Sequence, residues 1–322
     1  MTDLRRTAMG VFGKAPWRAE YIKMHWDGEP LTSFDAWLTD NVEWAALHRA
    51  AAFSAASQAG GVNAFVFRPK KGQGVLGGAI VASWDSAGRS FPLIVAAPLP
   101  AAGDAMGARP EILPLVLEDF WQLASEVAVA VQAAGSIERA ASIAPTEFAW
   151  GLDEAQAGAA YTEWAASLPL GDLCTLVYGA GGTAIAAGTV RFVVEAVRPL
   201  RGTERPRTPL TLRLPLGAAG GAAVCFWVDL VRRAAAWRST IPSFFWSHDG
   251  AAGTMLLHLG DAPRRTLADL WTPGSEHAEL CDLTAPLSNE QLGAIPELAP
   301  ALARCFGADC RVAELVAAAG AL

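Results

Sequence analysis

The sequence predicts an α/β protein, a three-layer α/β/α sandwich around a mixed, largely antiparallel central sheet. Three observations carry this. Apolar runs of strand length come in sequence-adjacent pairs, within 77–99 and at 243–246 and 255–259, so hairpins are expected. Alanine-rich segments with apolar residues at helical spacing lie before, between and after these pairs. The order is mixed (helix, strands, two or three helices, strand, helix, strands, helix), which puts helices on both faces of one sheet.

Taken in order, residues 11–30 hold Gly, Pro and aromatics without a period and read as an ordered loop. Residues 34–56 form a helix with Trp37, Trp44, Leu47 and Ala51 at helical spacing. A short strand at 63–67 and a loop at 68–74 lead into the strand pair of 77–99. Pro110 and Pro114 precede a long helix at 115–135, and a second helix at 153–167 stops at Leu168-Pro169. Residues 172–178 read as a strand or a buried helical turn, broken by the glycines of 179–182. A helix at 183–197 ends before Pro199, and 199–209 is a Pro- and Arg-rich surface loop. A strand at 210–216 and a turn at 217–221 precede a strong helix at 222–238. That helix carries basic residues toward its C-terminus, as the helix dipole favours. After the strands at 243–246 and 255–259 comes a short helix at 263–270. We divide the chain into a domain at 1–271 and a C-terminal extension at 272–322, whose end, 309–319, is helical.

The bulk properties exclude several classes. With 322 residues the chain can bury a sizeable core. Its mean hydropathy is +0.26, yet no run of about 18 apolar residues is uninterrupted, so no membrane insertion is expected. No apolar run of signal-peptide type follows the first ten residues, so no signal peptide and a cytoplasmic location are expected. Net charge is −7, and no basic stripe with interleaved aromatics is present, which argues against nucleic acid. The cysteines number five and are scattered, as expected of reduced thiols.

The most informative stretch is the polar turn Ser83-Trp84-Asp85-Ser86-Ala87-Gly88-Arg89 between two buried strands. Asp85 is suited to accept backbone N–H groups two residues on, and Gly88 to take a positive φ. Arg89 sits where the chain re-enters the apolar layer, so it is expected to be buried and paired with a carboxylate, Asp85 first.

The pattern S-x-D-x-x-G-R-x-F-P-L, here Ser83, Asp85, Gly88, Arg89, Phe91, Pro92 and Leu93, resembles the signature of the TagF (ImpM) family, accessory regulators of bacterial type VI secretion. The opening Val11-Phe12-Gly13-Lys14-Ala15-Pro16 resembles the family's G-x-F-G-K-x-P, and Phe34-Asp35-Ala36-Trp37-Leu38 its D-x-W-L segment. A third block, Ser243-Phe244-Phe245-Trp246-Ser247 with Leu256-Leu257-His258-Leu259-Gly260, resembles the family's C-terminal S-x-W-W strand and its partner. Where the family continues its opening block with R-G-D-F, this chain has Arg18-Ala19-Glu20-Tyr21, with Glu20 in place of the acid. The resemblance implies the same three-layer fold. It also implies a cytoplasmic repressor that acts post-translationally on a forkhead-associated domain scaffold protein of the secretion apparatus.

Motifs for chemistry are thin. Gly179-Ala180-Gly181-Gly182-Thr183-Ala184 follows an apolar run and precedes a helix, the order a dinucleotide site needs, but a glycine-rich turn accounts for it better. This turn is the basis of the alternative, a nucleotide-dependent enzyme; a structural component of the secretion assembly is a third reading. Ser247-His248-Asp249 is contiguous, so its side chains do not form a relay. His277, Cys281, Cys305 and Cys310 match no standard zinc spacing. We therefore expect no catalytic, cofactor or metal site. We expect partner contacts at Lys14, Trp17, Arg18 and Tyr21, with Ser83, Asp85, Gly88 and Arg89 as a structural corner or second contact.

Overall fold

Side chains of a strand alternate between its two faces, and here both faces are apolar, so the sheet needs a layer on each side. The computed structural model describes residues 5–59, 61–70, 74–99, 109–145, 147–150, 154–204, 206–247, 253–272, 277–307 and 309–322. The chain opens with β1 (Arg5–Ala8), β2 (Gly10–Gly13) and β3 (Ile22–Met24), then α1 (Glu29–His48) and α2 (Ala50–Ala59). Next come β4 (Val62–Phe67), β5 (Leu76–Val81) and β6 (Leu93–Pro98). Helices α3 (Leu113–Val116), α4 (Glu118–Gln132) and α5 (Ile137–Ile143) precede β7 (Glu147–Trp150). Three further helices follow, α6 (Glu154–Ser167), α7 (Leu170–Tyr178) and α8 (Gly182–Val197), and then β8 (Thr211–Pro215). After α9 (Gly220–Ala234) come β9 (Ser243–Ser247), β10 (Thr254–His258) and α10 (Thr266–Trp271). The chain closes with β11 (Leu280–Asp282), α11 (Asn289–Gly293), α12 (Pro300–Gly307) and α13 (Val312–Gly320).

Among the described residues a nine-stranded sheet runs β11-β8-β10-β9-β4-β5-β6-β2-β3, and β1 pairs with β7 in a separate two-stranded sheet. Every pairing in the large sheet is antiparallel except β11 with β8, which is parallel. The mixed, mostly antiparallel α/β architecture read from the sequence is the one observed.

The alternation is visible in the two cores. Phe65, Phe67, Ile80, Ile94 and Phe245 face α1, α2 and α10, together with Phe34, Leu38, Phe53 and Leu267. Their neighbours Ala64, Val66, Ala79, Val95, Phe244 and Trp246 face the larger core with Phe120, Trp121, Val190 and Trp227. Gly78 lets β5 and β6 close up: a Cβ there would sit 2.3 Å from the Val95 carbonyl oxygen. The extension read at 272–322 contributes β11 to the sheet, and Leu315 and Val316 of α13 lie in the larger core.

Several segments differ from the sequence reading. The loop expected over 11–30 contains β2 and β3, too short for a period to register. The ambiguous 172–178 is helical, and a short helix, α5, follows Gly135 with Ser136 as its N-cap. No single helix among the described residues is long and apolar enough to cross a membrane.

Candidate functional site

The polar turn and the loop after β2 form one cluster. Gly13 ends β2 at φ 134°, and a Cβ there would lie 2.0 Å from the Pro92 carbonyl oxygen. Only glycine brings the backbone that close, and Lys14 therefore enters directly beneath the turn. Its ammonium donates to Asp85 Oδ2 at 2.6 Å and to the Ala19 carbonyl at 3.2 Å, and lies 4.8 Å from the Tyr21 ring centroid.

Asp85 is fully enclosed. Its Oδ1 accepts the backbone N–H groups of Ala87 and Arg89, both at 2.9 Å. Its Oδ2 accepts Arg89 Nε at 2.7 Å as well as the lysine. Gly88 takes φ 79°, as the turn requires. Burial alone would raise the Asp85 carboxyl. The Lys14 ammonium, the Arg89 and Ala87 N–H groups and the Arg89 guanidinium outweigh it and hold the group well below the usual carboxylate range.

The same turn stitches down the loop before β3. Ser83 Oγ donates to the Lys14 carbonyl at 2.8 Å, Arg89 Nη2 to that of Ala19 at 3.2 Å, and the Ser86 N–H to that of Arg18 at 3.2 Å. With four donors on one carboxylate, Asp85 is a permanent anion that anchors, not a base that exchanges protons.

The expected Asp85–Arg89 pair is present, with one correction. Arg89 is not the buried partner: its side chain is 65% exposed, whereas that of Lys14 is 7% exposed. An arginine four residues along the same turn reaches the carboxylate from outside, while Lys14 arrives from beneath. Of the residues expected to make contacts, Lys14 is thus enclosed. Trp17 is half-buried, packs on the larger core and donates Nε1 to the Val131 carbonyl at 3.2 Å. Arg18 lies half-exposed, 3.4 Å from Glu20 Oε2. Tyr21 is 48% exposed, stacked on Phe12 at 5.5 Å and edge-on to Phe91 at 4.9 Å. The surface the cluster offers is therefore Arg18, Glu20, Tyr21 and Arg89.

Sequence reading missed a second charged cluster. Glu111, fully buried, pairs with Arg109 at 3.0 Å and Arg232 at 2.9 Å. Asp229 of α9 pairs with Arg232 and Arg233, both at 2.9 Å, and accepts Tyr161 Oη at 3.1 Å. The one signal was Asp229 inside an otherwise apolar helix. Both acids are ion-paired with arginines, contacts that link α9 to the segment before α3.

The glycine pattern at 179–184 joins two helices, α7 and α8, bent by 94°. The strand that a dinucleotide site requires before it is not formed. Gly182 is the packing point: a Cβ there would lie 2.5 Å from the Cys174 carbonyl oxygen. Of Ser247-His248-Asp249-Gly250, residues 248–250 lie outside the described residues. His277 lies 3.1 Å from Asp269 Oδ1, and no three His, Cys, Asp or Glu side chains group as metal ligands among the described residues.

This geometry, a hairpin opening locked onto a charged turn beside a helix-covered sheet, falls within a matched family segment. Residues 10–143 match the TagF N-terminal domain, type VI secretion system-associated. The resemblance read from the opening block and the turn is borne out over residues 10–143; the third block, at 243–260, lies beyond the match. Among solved structures the chain is similar to PA0076 from Pseudomonas aeruginosa PAO1, at 16% identity and a TM-score of 0.47, over 87% of this chain and 98% of that one. No curated protein matches the chain.

Proposed function

We propose that this type VI secretion-associated protein is a non-enzymatic cytoplasmic regulator. It acts post-translationally, as a repressor, by binding a forkhead-associated scaffold protein. The observation that carries the reading is the match of 10–143 to the TagF N-terminal domain, whose most distinctive residues here build an anchor and not a reaction centre. An anchored loop on a rigid sheet is where binding groups concentrate. The contact residues are Arg18 and Tyr21, flanked by Glu20 and Arg89; Lys14 and Trp17 hold them in place from beneath.

The test is calorimetry of the purified chain with the scaffold protein. A complex is expected, weakened at least tenfold, about 1.4 kcal/mol, by Arg18→Ala with Tyr21→Ala. No complex with the scaffold overturns the regulator reading. A complex untouched by the double substitution moves the interface elsewhere.

A further inference from the structure

The strand registers put the anchored turn and a second feature at opposite ends of the sheet. Val81, Leu93 and Gly13 meet at the turn end, whereas Phe67 pairs with Leu76, and Ser243 and Thr211 both pair with His258, at the other. At that far end α1, the segment after β4, the loop before β8 and the loop after β10 surround a cleft of about 640 Å³. Four cations line it, Arg68, Lys70, Arg207 and Arg264, against two carboxylates, Asp40 and Asp261.

This excess stands out in a chain of net charge −7. Lys70, Arg207 and Arg264 are exposed, and among the described residues none has an ion-pair or hydrogen-bond partner. The next residue, Arg265, is already paired with Glu279. Unpaired like charges gathered on separate loops repel one another and contribute nothing to folding, so an anionic occupant relieves them. Trp37 forms part of the wall. It is half-buried, held by Nε1 donating to the Ala262 carbonyl at 2.9 Å, and stacked on Phe245 at 5.5 Å.

We propose that this cleft docks an acidic, extended segment of a partner protein, its carboxylates on Lys70, Arg207 and Arg264 and its backbone across Trp37. The cations stand on three separate loops and do not converge on one point. The two lining carboxylates oppose a concentrated multivalent anion. Carboxylates spaced along a chain meet both conditions, and a fixed indole suits the peptide between them. The site is independent of the surface at Arg18 and Tyr21 and does not rest on the scaffold reading.

The test uses the full chain and a fluorescein-labelled peptide of alternating Glu, Gly and Leu, read by anisotropy. Binding is expected to weaken about tenfold when salt is raised from roughly 50 to 500 mM, as screened surface charges require. Lys70→Glu, Arg207→Glu and Arg264→Glu together are expected to lower affinity by a further tenfold or more at low salt. The melting temperature should stay within about 2 °C, since all three side chains are exposed. Arg18→Ala is expected to leave peptide binding unchanged. The proposal is overturned by absence of peptide binding at low salt, or by equal binding of the triple variant. It is also overturned if inorganic phosphate or single-stranded oligonucleotide displaces the peptide at concentrations below that of unlabelled peptide. Either displacement would assign the cleft to phosphate groups.

Discussion

At the level of single residues, the energetic weight of the polar turn rests on Asp85. Removing it leaves Lys14 enclosed without its counter-charge, so Asp85→Ala is expected to destabilise by roughly 3–5 kcal/mol in urea denaturation. Arg89→Ala, which removes the exposed partner, should cost under about 1 kcal/mol. Equal losses would show that the buried lysine is not the controlling contact. Because the folded-state pKa of Asp85 is depressed, its contribution is fully present above the unfolded value near pH 4 and is lost as pH falls toward the folded one. The gap between wild type and Asp85→Asn should be constant at neutral pH and narrow below about pH 4. A second titration runs higher. His258, buried between Thr211 Oγ1 at 2.8 Å and Thr266 Oγ1 at 3.3 Å, is pulled down by burial to about 3. Thr266 donates to the Pro263 carbonyl, which assigns the ring proton to Nε2 and leaves Nδ1 to accept from Thr211. Below an ordinary histidine pKa near 6.5 the unfolded chain binds a proton that the folded chain refuses, so stability falls from there toward pH 3. Between about pH 7 and 5 the wild type should lose about 2 kcal/mol that His258→Gln does not. Asp85, Gly88 and Arg89 were legible in the sequence because turn chemistry is local. Lys14 as the buried partner was not, since its carboxylate lies 71 positions away.

At the level of elements, the strands of 62–98 and 243–258 were readable as apolar runs bounded by turn residues, and that of 211–215 by its alternation. The hairpin β2–β3 was not, being built of four- and three-residue strands whose stability comes from β6 and the anchored turn and not from their own pattern. Residues 172–178 carried no arbitrating period; packing against α8 decides for helix. That corner has a glycine whose role the structure makes specific. Gly182→Ala is expected to cost roughly 1–3 kcal/mol, because the Cβ meets the Cys174 backbone and cannot be relieved by a rotamer change. Gly171→Ala, in α7 with nothing within 4 Å of the new Cβ, should instead be neutral or stabilise by about 0.5–1 kcal/mol. Thermal unfolding of the two variants separates packing from helix propensity: similar shifts would refute the corner as a close contact.

For the whole molecule, the three-layer arrangement was legible from the order of elements, but which surfaces it gathers was not. The far-end cleft draws on residues near 37, 68, 207 and 264, and sequence spacing does not reveal that a helix and three loops share one end of a sheet. Strands of five or six residues separate that cleft from the anchored turn by about 17–20 Å. Substitutions at the two ends should therefore be additive in stability within about 0.5 kcal/mol. The same sheet is bounded by its two shortest strands, β3 and β11, three residues each. Their brevity leaves an approaching chain little backbone to pair with, whereas β8, one strand in, is five residues long and buried along its length. A chain ending at residue 271 would bare that strand, with Leu212 and Leu214 beside unsatisfied amide groups. Its failure would show as self-association through the new rim: light scattering that rises with protein concentration, while the helical signal in circular dichroism persists.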